Sequence, residues 1–363
     1  DAGNKEDEVF WDKRQLVKKI NLNSLYGAIL NPGCRFFDKR IGQSTTLTGR
    51  LIARHMDAYV NECITGKYDH LGESIIYGDT DSVYFSAWPI IKADVEAGKM
   101  EWNKEICIEL YDSIAEQVNT SFPTFMEQAF HCPRELGSII RGGRELVASR
   151  GLYITKKRYA VMIYDKEGKR QDKNGKSGKV KAMGLDLKRS DTPKVVQEFL
   201  SNILLDVLEG GGEQQVLDKI VDFRVGFSER PAWEKGTPKR VNKLTYYGDM
   251  EKQHGKFNMP GHVRAATNWN RLRKMHHDNY SQKITDGQKV IVCKLKDNPL
   301  GYTSVAYPVD ETHLPEWFLA MPFDHAAMES TIVDNKVENL LGVLNWNLSS
   351  TIGFNNSFNQ MFG

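Results

Sequence analysis

The stretch YGDTDSVYF, Tyr77 to Phe85, sets two carboxylates one residue apart between segments that otherwise read as buried strand. Ile75, Ile76 and Tyr77 before the acids, and Val83, Tyr84 and Phe85 after them, are β-branched or aromatic, whereas Gly-Asp-Thr-Asp is turn chemistry. The pattern predicts a β-hairpin with Asp79 and Asp81 at its tip. In an extended backbone, residues two apart point to one face, and two close carboxylates repel unless a cation sits between them. A hard divalent metal is the natural guest. A solvated turn has the same composition, since Asp is common in turns, and the hairpin alone leaves both readings open.

Two further constellations could do chemistry. Lys19, Asn23 and Tyr26 fall at i, i+4 and i+7, which lines up a cation, an amide and a phenol on one helix face. Such a face could hold a triphosphate and a base, or be a solvated stripe. In KKRYA, Lys156 to Ala160, strand alternation would put Lys157 and Tyr159 on one side of a ribbon and Lys156 and Arg158 on the other. Cations on both sides suit phosphate contact, as they also suit an ordinary charged edge strand.

The elements that must position these residues follow from periodicity. Phe10, Gln15, Leu16, Lys19, Asn23, Tyr26 and Leu30 have helical spacing over about Val9 to Leu30, and Asn31-Pro32-Gly33 stops the helix. Helical patterns return over about Thr45 to Cys63 and Asn103 to Phe130, on either side of the acidic hairpin. Leu152 to Asp165 and Lys179 to Leu187 read as an antiparallel pair of strands. Ser190-Asp191-Thr192-Pro193 reads as a capping signal that opens a helix through about Glu209, and a domain boundary is expected near Ser190. From about Arg230 to Pro260 the chain is polar, basic and poor in periodicity; Gly261 to Asn279 reads as helix and Lys289 to Leu295 as strand. The final NNSFNQMFG reads as a disordered tail with Phe358, Met361 and Phe362 as an apolar anchor.

At 363 residues and 40% hydrophobic, the chain is long enough for two or more domains with real cores. Its 49 basic and 47 acidic residues nearly cancel, so net charge says nothing of a polyanionic partner. The distribution does: Gly151 to Ser190 holds 12 Lys plus Arg against 4 Asp plus Glu, and Lys235 to Lys274 holds 10 against 2, so each block carries +8. Cys34, Cys63, Cys107, Cys132 and Cys293 show no CxxC spacing and no cluster with histidine, which argues against a disulfide framework or a zinc site. That cysteine usage makes a reducing cytosol the simplest compartment; no apolar run approaches a membrane span, no signal-peptide pattern opens the chain, and the start on Asp1 reads as a cut or processed end.

Lys-x-x-x-Asn-Ser-Leu-Tyr-Gly on a helix, then Tyr-Gly-Asp-Thr-Asp-Ser at a hairpin tip, then Lys-Lys-Arg-Tyr, is an order of motifs that resembles the family B DNA polymerases. GLYITKKRYAVMIYD, KAMGLDLKRSDTPKVVQ, PKRVNKL at Pro238 to Leu244 and PGHVRAATNWN at Pro260 to Asn270 extend the resemblance over nearly the whole chain, most of all to the replicative polymerases of T-even-type bacteriophages. The resemblance implies an α+β fold. It would comprise a C-terminal fingers helix over 1–31 and a palm over 32–190 whose antiparallel sheet carries the acidic hairpin. A mostly helical thumb over 191–350 and a clamp-binding tail over 351–363 would follow. It implies that Asp81 and Asp79 are catalytic metal ligands for two Mg2+ ions, and that Lys19 and Asn23 touch the incoming deoxynucleoside triphosphate while Tyr26 and Gly27 line the nascent base pair. Lys156, Lys157, Arg158 and Tyr159 would hold the primer end, and Lys239, Arg240 and Arg264 the primer-template duplex. Phe358, Met361 and Phe362 would dock on a sliding clamp. The implied location is the cytoplasm of an infected bacterial cell.

The departures are as informative. The family's upstream Asp-x-x-Ser-Leu-Tyr-Pro motif, which brings a further metal-binding Asp, does not occur in the chain, nor do the exonuclease and the first fingers helix. Glu145 in RGGREL matches a palm carboxylate of the family, but Gly143 stands where the phage relatives tend to have a second acid. The expected protein is therefore the C-terminal part of a polymerase, completed by a separate N-terminal polymerase and exonuclease chain. The alternatives are a non-catalytic module that holds primer-template and tethers a clamp, and a reverse transcriptase, against which Thr80 and the Asn-Ser-Leu-Tyr-Gly helix argue.

Overall fold

The computed structural model describes residues 5–255 and 257–351, in two compact units: 1–147 with 166–168, and 148–165 with 169–363. Phe358, Met361 and Phe362 lie outside the described residues.

The first unit opens with α1 (Lys5–Leu30), which ends where Asn31 turns back to accept the Gly33 N–H at 2.9 Å. No residue of α1 is buried, and Phe10, Trp11, Leu16, Val17 and Ile20 stay exposed. α2 (Lys39–Thr65) begins at a capping Asp38, whose carboxylate accepts the Arg40 N–H at 2.8 Å, and ends at Gly66 with φ +76°. The acidic segment forms β1 (Ile75–Asp79) and β2 (Ser82–Phe85), paired antiparallel, as the sequence predicts. α3 (Trp88–Glu96), α4 (Lys104–Phe130) and the single turn α5 (Arg134–Gly137) complete the unit. Its core is Val60 of α2 with Ile114, Val118 and Phe122 of α4, which fall at helical spacing, and Ile75, Val83 and Phe85 of the hairpin pack on them.

In the second unit β3 (Leu146–Thr155), whose first two residues belong to the first unit, runs into β4 (Arg158–Lys166). β5 (Lys169–Arg170) and β6 (Lys179–Met183) follow, and β6 pairs antiparallel with β4 from Tyr159↔Met183 to Ile163↔Lys179. The predicted strand over Leu152 to Asp165 is thus two strands. Lys156 and Lys157 make the turn, with Lys157 at φ +63°, so strand alternation does not run through KKRY and does not sort its cations onto two faces. α6 (Lys194–Glu209) and α7 (Glu213–Ser228) pack Leu200, Ile203, Leu204 and Ile220 against Ala160 and Met162 of β4. The expected side-chain cap of α6 does not form: Pro193 occupies the cap position, and Asp191 instead binds Arg189 and Lys239.

The basic stretch before Pro260 carries more structure than its composition suggests. β7 (Thr237–Arg240) pairs with β8 (Lys289–Lys294), α8 (Leu244–His254) follows β7, and α9 (Gly261–Met275) follows α8. β9 (Ser304–Pro308) completes a three-stranded antiparallel sheet with β8 in the centre. Pro238 fits because β7 is an edge strand, where a missing N–H is tolerated. Trp269 and Leu272 of α9 are buried against Val290, Cys293, Val305 and Ala306 of this sheet. Short helices α10 (Glu316–Leu319), α11 (His325–Glu329) and α12 (Asn335–Leu341) close the described chain. One wholly buried cation, Lys235, is held by Glu329 at 2.7 Å, the Ser228 carbonyl at 2.7 Å and His325 Nδ1 at 3.2 Å. Among the described residues no helix is long and apolar enough to cross a membrane, and all five cysteines are free.

Candidate functional site

The hairpin sorts its residues by cross-strand pairing. Gly78 lies opposite the core-packed Val83, while Tyr77 and Tyr84 pair on the other side with ring centroids 6.0 Å apart, and Asp79 faces Ser82. At the tip Thr80 has φ +50°, a conformation that a β-branched residue rarely adopts, and the Asp81 N–H bonds back to the Asp79 carbonyl at 2.6 Å. The same carbonyl accepts the Ser82 hydroxyl at 3.2 Å, and the Thr80 hydroxyl reaches Asp79 Oδ1 at 3.1 Å. A turn, rather than continuous strand alternation, therefore connects the two acids. Asp81 is exposed and Asp79 half-buried.

As oxygen donors on an open turn, Asp79 and Asp81 fit Mg2+ in kind, since that ion keeps several waters and takes one or two carboxylates. They do not suffice for a closed protein cage: among the described residues no group of three or more His, Cys, Asp or Glu is arranged to hold a metal.

α4 fixes the chain that leads to Glu145. Asn119 clasps Gly142, donating to its carbonyl at 2.9 Å and accepting its N–H at 2.8 Å, and Arg144, its side chain nearly covered, binds Asp112 at 2.5 Å. Periodicity alone did not single out Asn119 or Asp112, because both look like ordinary polar positions of an amphipathic helix.

On α1, Lys19, Asn23 and Gly27 are exposed and Tyr26 half-buried, so the predicted face is open. A Cβ placed on Gly27 would meet no atom of the described residues within 4 Å.

Of the predicted cations in the second unit, Lys156 and Lys157 stand exposed at the β3–β4 turn. Arg158 donates to the Asn339 carbonyl of α12 at 3.2 Å, and Tyr159 is buried and stacked on Tyr153, so neither is a free surface group on the ribbon. Lys239 is bound to Asp191 at 3.0 Å; Arg264 donates to the Phe257 carbonyl at 3.1 Å; Arg240 is exposed on β7. Arg189 first, then Lys239, holds the Asp191 carboxyl well below the usual carboxylate range.

Lys239 also lines a cavity of about 590 Å³ with His262, at the start of α9, Lys294 and Lys336. Lys336 pairs with Asp186 at 2.9 Å, whereas Lys294 has only uncharged partners, the Thr331 hydroxyl at 2.7 Å and the Ala327 carbonyl at 3.3 Å. Burial, and then Lys239, pushes His262 down towards its neutral form. The sequence reading found Lys239 here but missed His262, Lys294 and Lys336, which only folding brings together.

Residues 1–133 match the family model described as DNA polymerase family B. The DNA-directed DNA polymerase of Enterobacteria phage T4 is 30% identical over 317 residues, covering 83% of this chain and 33% of the relative. That of Escherichia phage RB69 is 28% identical over 305 residues, covering 81% of this chain and 33% of the relative. DNA polymerase II of Escherichia coli K12 is 27% identical over 259 residues, covering 68% of this chain and 27% of the relative. The chain thus spans about a third of the length of the phage relatives.

Proposed function

We propose, from the premise that the chain belongs to DNA polymerase family B, that it supplies the nucleotide-facing helix, the acidic catalytic turn and the duplex-gripping part of a DNA-directed DNA polymerase. The observation that carries the reading is the acidic turn itself: a β-branched Thr80 held at positive φ between two carboxylates at a solvent-facing tip. Strain of this kind persists where the surrounding structure enforces it, and it clusters at functional sites.

In this reading Asp81 and Asp79 hold Mg2+ and orient it towards the triphosphate. If bound there, such ions would supply charge stabilisation to the attacking and leaving oxygens of an in-line displacement. Lys19 and Asn23 neutralise and orient the phosphates of the incoming deoxynucleotide, and Tyr26 with Gly27 leaves room for the nascent base pair. Lys156 and Lys157 meet the primer end, with Arg158 and Tyr159 anchoring their turn from behind. Lys239, Arg240 and Arg264 belong to the surface that follows the duplex backbone, a contact that needs charge rather than sequence. A separate N-terminal polymerase and exonuclease portion provides the remaining catalytic Asp, and Phe358, Met361 and Phe362 of the tail engage a sliding clamp. The site of action is the cytoplasm of an infected bacterium.

A second reading, a non-catalytic module that holds primer-template, draws support from the absence of a third ligating side chain near Asp79 and Asp81 among the described residues. Single-nucleotide incorporation with Mg2+ separates the two. The chain alone should not extend a primer; with the N-terminal portion added in trans it should, and Asp81→Ala should abolish most of that extension while DNA binding persists. Robust extension by the chain alone would sink the split-site reading, and near-normal extension by Asp81→Ala would remove Asp81 from the chemistry.

A further inference from the structure

Beneath the acidic turn lies a carboxylate to which the reaction outlined above gives no part. Asp57 sits on the face of α2 that packs on the hairpin, in line with the core residue Val60 and flanked by Met56. Its Oδ2 would lie 3.6 Å from a Cβ at Gly78, so the carboxyl occupies the space beside the strand residue that precedes Asp79. Its Oδ1 is shielded from solvent and has no hydrogen-bond partner among the described residues. A shielded, unsatisfied carboxylate oxygen is costly, and an apolar side chain would pack at this position without that cost. Burial pushes the carboxyl up to about 6, against a smaller opposing pull from His70. An ionisable carboxyl thus stands beside the residue that precedes Asp79, on the opposite side of the strand from the Tyr77–Tyr84 pair.

We propose that Asp57 is a positioning residue of the acidic turn, abutting the Gly78 backbone from below and raising, through its charge, the affinity of Asp79 and Asp81 for divalent cations. The proposal rests on the reading of Asp79 and Asp81 as metal ligands. Among the described residues Asp57 is not grouped with the two acids in a three-residue metal site, so its proposed part is indirect. It acts across the strand: a nearby anion deepens the potential at the turn, and its own cost of ionisation is relieved when a cation binds there.

The test is Mn2+ binding to the full chain, followed by the loss of the free Mn2+ electron paramagnetic resonance signal, beside thermal unfolding of the same samples. Asp57→Asn keeps the shape and removes the charge. It should unfold at or above the wild-type temperature yet bind Mn2+ roughly three- to tenfold more weakly, as expected for losing one partly screened charge close to the ion. Asp57→Glu, which restores the charge, should recover part of the affinity. Equal Mn2+ affinity in wild type and Asp57→Asn overturns the proposal, as does undetectable binding by the wild type. Asp81→Asn serves as the separate check: if it binds Mn2+ as tightly as wild type, the ligand reading of the turn fails, and with it the polymerase site rather than the role of Asp57 alone.

Discussion

Replacing Gly27 by alanine should make the protein more stable and the enzyme worse. Gly27 lies in the last turns of α1, where glycine costs about 0.5 to 1 kcal/mol relative to alanine because more backbone freedom is lost on folding. The new methyl would meet no atom of the described residues within 4 Å, so no clash with them offsets the gain. For a unit of this size a gain of about 1 kcal/mol raises the melting temperature by about 2 to 4 °C, or by less if α1 frays ahead of the rest. If the open space belongs to a nascent base pair, the same methyl intrudes on it, and overpacking of that kind costs about 1 to 3 kcal/mol. That translates into roughly a 5- to 150-fold fall in kcat/KM for nucleotide incorporation by the reconstituted enzyme. Gly49→Ala is the matched control: Gly49 is inside α2, its Cβ position is equally empty, and it has no proposed part in the site. It should stabilise to a similar degree and leave incorporation unchanged. Undiminished incorporation by Gly27→Ala would refute the reasoning, because the open face would then be facing only water.

Two more outcomes follow from a buried histidine and an exposed basic turn. His55 is buried, stacked on Phe125 at 4.0 Å, and hydrogen-bonded to Tyr68 and Ser121 at 2.8 Å each; burial pushes it down to about 4. The unfolded state therefore takes up a proton near pH 6.5 that the folded state resists until about pH 4, and stability should fall by up to about 3 kcal/mol as pH drops through that window. Asp57, raised to about 6, acts in the opposite sense over much of the same range, so the histidine's share is the difference in melting between wild type and His55→Gln; parallel pH profiles would rule it out. Neutralising Lys156 and Lys157 together should weaken primer-template binding equally across sequences and reduce the slope of log affinity against log salt by up to about 2. An unchanged slope would mean that the turn points away from DNA.

Most of the element order could be read from the chain because the apolar periods are strong. Ile114, Val118 and Phe122 announce α4, and Leu200, Ile203 and Leu204 announce α6, before any contact is known. What could not be read was set by partners distant in sequence. Thr-Pro-Lys-Arg is a strand only because Val290 and Ile291 of β8 lie alongside it. Lys156-Lys157 looks like the middle of a strand until the pairing of β3 with β4 forces a turn between them. The acidic pair was found for a reason that the structure amends: two-residue spacing drew attention to Asp79 and Asp81, but Thr80 at positive φ breaks the alternation on which a shared face depends. A single Asp on an amphipathic helix carries no periodic signal, and so Asp57 became visible only once Gly78 lay against it.

Two long helices thus do for the first unit what no single motif could. The α2 and α4 helices share the core of Val60, Val118 and Phe122 that supports the hairpin through Val83 and Phe85. From its exposed flank α4 also reaches the segment before β3, with Asn119 holding Gly142 by two hydrogen bonds and Asp112 holding Arg144. The acidic turn and the approach to Glu145 are therefore referenced to one rigid pair of helices, and their relative placement depends on apolar burial in one case and on directional polar contacts in the other. Apolar burial resists displacement along every direction but tolerates rotation, whereas the paired bonds to Gly142 fix orientation at a backbone with no side chain to interfere. Residues between the motifs, unremarkable one at a time, set where the candidate groups stand.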